Sequence, residues 1–147
     1  MGYALFAQRK LVISGLINSV QLQQTQRSDE QMRLATNTIS LQADITALQA
    51  NQSYKLQDLY SELSSADDSS ERESIQADIK EVQEEFEGEI AQINQKIYMI
   101  SIKENALEME VKRLDTRLEA LKKQRDIIEK AEQDGIDKST PKFSGLG

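Results

Sequence analysis

The sequence contains no cysteine, no histidine and no tryptophan, and only one proline. Each absence removes a class of chemistry. Without cysteine there are no disulfides, no thiolate metal sites and no thiol nucleophile. Without histidine the chain lacks the side chain most often used as a general base and as a zinc ligand. A catalytic site would have to be built from carboxylate, lysine, tyrosine or serine groups. The acids present, such as Glu84, Glu85, Glu87 and Glu89, fall at the spacings of a solvated helix face. No glycine-rich phosphate loop occurs. The expectation is a protein that is not an enzyme, with no catalytic residues, no cofactor, no metal site and no small-molecule ligand.

Aromatic residues make up 5% of the 147 residues and hydrophobic residues 38%. That is thin material for a globular core and suits long helices that bury one narrow stripe. The net charge of −7 is concentrated. Residues 1–64 carry five bases and five acids, and residues 90–134 carry nine of each. Residues 67–89 carry ten acids against Arg72 and Lys80, a balance of −8. A solvated outer face explains that block most simply. No basic stripe with interleaved aromatics is present, so nucleic acid is not expected as a partner.

The strongest positive signal runs over residues 71–134. Ile79, Phe86, Ile93, Ile100, Leu107, Leu114, Leu121 and Ile128 recur every seven residues without interruption. A companion row contains Ile75, Val82, Ile90, Ile97, Val111 and Leu118, with Glu104 and Arg125 as polar departures. It shifts by one residue beside Gly88. Sustained heptads put a narrow apolar seam along a helix that must meet a partner helix.

Residues 1–63 read as a second long helix. Leu34, Leu41 and Leu48 keep heptad spacing, joined by Ile45, Leu56, Leu59 and Leu63, while Gln31, Thr38 and Gln52 interrupt the inner row. Ser28 followed by Gln31 marks 26–28 as the place where this helix would bend. Between the two lies "SSADDSS" at 64–70, a turn signal, with Ser70 and Glu73 spaced as a capping box for the second helix. Gly135 suits a helix C-terminal cap, and Pro141, Gly145 and Gly147 argue against continuation over 135–147. The cap also accounts for "DGID" at 134–137 better than a calcium loop does, because no terminal glutamate follows. The fold class is thus all-α: a long antiparallel helical hairpin, or intramolecular coiled coil, with an irregular C-terminal tail.

The opening "MGYALFAQRKLVISGLINSV" remains. Its charge-free span, residues 11–26, turns polar after Val20 and is too short for a membrane helix. The basic pair Arg9–Lys10 stands before the apolar "LVISGLI", as in a signal peptide, but it follows an apolar "YALFA", which argues against one. Residue 6 is Phe where a myristoylation signal requires Ser or Thr. A retained helix is expected, and a membrane is not expected as its partner. On a helix, Leu5, Phe6, Val12, Ile13, Leu16, Ile17 and Val20 spread over a face wider than one partner helix can cover. They are the expected subunit interface. The expected hairpin seam comprises Leu41, Ile45, Leu48, Leu59, Ile79, Phe86, Ile93, Ile100, Leu107, Leu114, Leu121 and Ile128.

With its heptad run over Ile79–Ile128, apolar N-terminal helix and cysteine-free composition, the chain resembles the subunits of bacterial secretion filaments and flagellin-like polymers. It departs from them in the irregular ending "STPKFSGLG". The resemblance implies long antiparallel helices, export without a cleaved signal, and an extracellular or cell-surface assembly, with a cytoplasmic one left open. The expected function is a structural subunit that binds copies of itself in a helical filament or tube. The alternative is a coiled-coil adaptor, chaperone or stalk that binds another protein, with Gln52, Glu104 and Arg125 setting partner choice.

Overall fold

The computed structural model describes the backbone of residues 2–139 and the side chains of residues 4–135. It consists of two long α-helices packed against each other as a hairpin: α1 (Gly2–Ser65) and α2 (Ser69–Ser139). Among the described residues there is no strand.

The connection is shorter than the seven-residue turn expected from sequence, because only residues 66–68 leave the helices. Asp68, rather than Ser70, begins α2. Its Oδ1 accepts the backbone N–H of Ser70 at 3.2 Å, and its carbonyl accepts the N–H of Arg72 at 3.0 Å. That is N-cap geometry, with Glu71 supplying an acid to the first turn beside the positive end of the helix dipole. Asp68–Glu71 has the same spacing as the Ser70–Glu73 pair, and the observed N-cap sits two residues earlier than expected. At the end of α1, Ser64 and Ser65 donate their hydroxyls to the carbonyls of Tyr60 and Ser61 at 3.0 and 3.1 Å.

The single long N-terminal helix expected from sequence is present: residues 26–28 lie inside an uninterrupted α1, and Ser28 caps nothing. One expectation changes. Gly135 lies inside α2, which runs on to Ser139, and no described glycine has positive φ. A glycine inside a helix costs only about 1 kcal/mol, which packing of α2 along α1 outweighs. A Cβ at Gly135 would lie 3.9 Å from the Phe6 ring, an ordinary contact. Residues 140–147 of the expected tail lie outside the described residues.

The hairpin divides into two units, each built from a stretch of both helices. In the unit of Met1–Glu30 and Ala106–Gly147, Ile13, Ile17 and Val20 are buried against Leu114 and Leu121, with Leu118 and Ile128 packed beside them. In the unit of Gln31–Asn105, Ala66, Ile75 and Ile79 form a buried cluster joined by Leu56, Leu59 and Leu63. Ala66 is only 3% exposed. A larger side chain at this point of the turn would hold the helices apart.

Candidate self-association surface

Seven residues form the expected subunit interface, and the fold separates them into two sets. Ile13, Ile17 and Val20 point into the hairpin, and Val20 is 2% exposed. Phe6 is half-buried and approaches Gly135. These four do not belong to an outward surface, because α2 already covers them. The physical reason is register: α2 presents Leu114, Leu118 and Leu121 along this stretch of α1, and they occupy the centre of its broad apolar face.

The other three stay outside. Leu5 is 49%, Val12 57% and Leu16 38% exposed, and Leu11 beside them is 75% exposed. Leu5 and Val12 are one heptad apart and Leu16 one turn further, so they form a row along the flank of α1. Leu11 and Leu22, also exposed, lie on the outer side, with Gly15 between the two rows. A Cβ at Gly15 would meet nothing within 4 Å. On the flank, Leu5, Gln8, Arg9 and Val12 line an open groove floored by Ile13 and Ile128.

Polar contacts hold α1 of this unit in register on α2. Lys10 Nζ donates to Glu132 Oε2 at 3.4 Å and lies 3.9 Å from Glu129. Gln24 Nε2 donates to Asp115 Oδ1 at 2.6 Å. Arg27 Nε donates to Glu110 Oε1 at 2.9 Å, and its Nη1 pairs with Glu30 at 3.2 Å. These residues replace apolar seam positions, and their fixed partners specify alignment where hydrophobic contact would allow sliding.

Seam residues of α2 divide between full and partial burial. Ile79, Phe86, Leu107, Leu114 and Leu121 are buried, while Ile93, Ile100 and Ile128 are half-buried. On α1, Leu41, Ile45, Leu48 and Leu59 are half-buried and Leu34 is buried. Met32, Met99 and Met109 are 67%, 51% and 72% exposed, and Tyr54, Tyr60 and Tyr98 are exposed as well. Residue type alone carries no sign of which helix flank a single partner leaves open.

In the unit of Gln31–Asn105, two grooves lie along one side. One, lined by Lys55, Leu59 and Val82, carries Asp58, Asp78, Glu81 and Glu85. Lys55 lies with its Nζ 5.3 Å from the Phe86 ring centroid, a cation–π distance. The other groove, about 720 Å³, is lined by Leu41, Met99 and Ile100 with Asn37, Gln92, Gln95, Lys96 and Lys103. Sequence reasoning placed the acidic block but not the lysine groove, whose signal is Lys96 three residues before Met99 and Lys103 four residues after it, on one side of α2.

Among the described residues, no group of three or more acidic side chains could hold a metal ion, and no helix is long and apolar enough to cross a membrane. No protein-family model, curated protein or solved structure matches the chain.

Proposed function

We propose that this chain is a structural subunit that assembles with copies of itself into a helical filament or tube, through the exposed rows of the N-terminal part of α1. One observation carries the reading. The inner face of this helix is already covered by Leu114 and Leu121, yet Leu5, Leu11, Val12 and Leu16 remain outside on neighbouring turns. Scattered exposed leucines are ordinary. A contiguous apolar patch marks a place where another molecule sits.

Copies of the same chain fit this patch because it is aliphatic, helical and bordered by only one base, Arg9, that makes no ion pair among the described residues. A second helix of the same kind meets it by side-chain packing alone. Contacts that do not close into a ring propagate as a polymer. The acidic residues at the turn, Asp67, Asp68, Glu71 and Glu73, then serve as a solvated end.

Negative-stain microscopy and sedimentation of the full chain test this. Concentration-dependent filaments are expected, and they are expected to disappear in a Leu11→Ser, Val12→Ser, Leu16→Ser variant that keeps its helicity. A monodisperse dimer or tetramer at every concentration overturns the proposal. Assembly only with a stoichiometric second protein overturns it in favour of the adaptor reading.

A further inference from the structure

Gly88 sits in the interior of α2, where a helix gains nothing from glycine. A Cβ there would meet nothing within 4 Å, so no close approach inside the hairpin requires its absence. Glycine at such a position weakens the helix relative to alanine. Its neighbours on the same side of the helix explain what a bare backbone serves.

Taking Gln92 as a centre, Gly88 and Lys96 lie four residues away on either side. Glu85 and Met99 lie seven away, and Glu81 and Lys103 eleven away. Four, seven and eleven are the spacings at which residues return to one side of an α-helix. All of these positions except Gly88 line the acidic groove or the lysine groove. The side of α2 is therefore antisymmetric in charge about Gln92: acids before it, lysines after it.

We infer that this side of the Gln31–Asn105 unit docks antiparallel on the same side of a second copy, with a two-fold axis near Gln92. This deepens the self-assembly reading and rests on it only in taking a second copy as the partner. A two-fold rotation about Gln92 sets Glu81 of each copy against Lys103 of the other. It sets Lys96 over Gly88, where the absent side chain lets the two helices approach and leaves the ammonium group beside Glu85. Met99, half exposed in the single chain, comes to lie in the contact. A parallel arrangement would instead bring acids onto acids and lysines onto lysines, which charge disfavours. A two-fold contact here and a different contact through the N-terminal rows together link copies without end.

The test uses the full chain carrying Leu11→Ser, Val12→Ser and Leu16→Ser, which removes the N-terminal contact and leaves this one. Sedimentation equilibrium is expected to show a dimer that weakens as salt rises. Glu81→Lys with Glu85→Lys is expected to weaken it by about tenfold or more, and adding Lys96→Glu with Lys103→Glu to restore it. Gly88→Leu is expected to raise the melting temperature while abolishing the dimer, a pair of opposite effects that a purely structural glycine would not give. The chain has no native cysteine, so Gln92→Cys alone should form a disulfide-linked dimer on oxidation. A monomer at all concentrations, or a dimer indifferent to charge reversal and to Gly88→Leu, overturns the inference. If the parent chain forms filaments while the serine variant is monomeric, only this inference falls. If the serine variant dimerises but the parent never polymerises, only the filament reading falls.

Discussion

Arg72, in the first turn of α2, donates its guanidinium Nε–H to the carbonyl oxygen of Ala66 at 3.0 Å. The last carbonyls of a helix have no partner within it, and a cation near them also meets the negative end of the helix dipole. One side chain thus closes the end of α1 and ties it to the start of α2. Arg72→Ala is expected to lower stability by about 1 kcal/mol, the worth of a charge-assisted hydrogen bond at a partly open site. Urea denaturation followed by circular dichroism measures it. A change within error would mean that water replaces the guanidinium without cost.

Ile17 and Leu11 separate core from surface. Ile17 is 5% exposed in the cluster with Leu114 and Leu121, and Leu11 is 75% exposed. Ile17→Ala is expected to cost about 2–5 kcal/mol of stability. Leu11→Ser is expected to leave stability within about 0.5 kcal/mol while reducing self-association. Equal losses of stability in the two variants would contradict the orientation of this stretch of α1.

The Arg27–Glu110 pair, with both side chains about one-third exposed, is predicted to supply alignment more than energy. A double-mutant cycle with Arg27→Ala and Glu110→Ala should return a coupling of about 0.5–1 kcal/mol. Replacing both by Leu is expected to be neutral or stabilising, since an apolar seam no longer has two charges to desolvate. A marked destabilisation by the double replacement would show that the ion pair contributes net energy.

Thr38 lies on the inner row of α1, and its hydroxyl oxygen is buried with no hydrogen-bond partner among the described residues. Thr25, Thr36 and Thr46 each donate instead to the carbonyl four residues earlier. Thr38→Val keeps the shape and removes the unsatisfied group, so a gain of about 1 kcal/mol is expected. Thermal melting of the variant checks it, and a lower melting temperature would mean that the hydroxyl is satisfied by water.

The architecture was legible because its signal is redundant. Eight apolar heptad positions from Ile79 to Ile128, against leucines at the same spacing in residues 34–63, leave little besides two helices folded on each other. Their boundaries were less legible. Asp68–Glu71 and Ser70–Glu73 are equally spaced, and only Asp68 binds the N–H of Ser70. Gly135 reads as a stop locally, yet the helix continues, because a local preference of about 1 kcal/mol is small beside the packing of a whole helix.

Residue types and their spacing alone determined the class, the pairing of two helices, the acidity of residues 67–89 and the absence of thiol and imidazole chemistry. Only the tertiary structure decided which apolar residues of the N-terminal stretch are core and which are surface. The sequence pattern shows that a face is wide, but not where a partner helix is centred on it. That centring depends on the register of α2 along α1, set by contacts such as Lys10–Glu132 and Arg27–Glu110 between residues far apart in the chain. Ile13, Ile17 and Val20 fall under α2 as a result, and Leu5, Leu11, Val12 and Leu16 remain exposed.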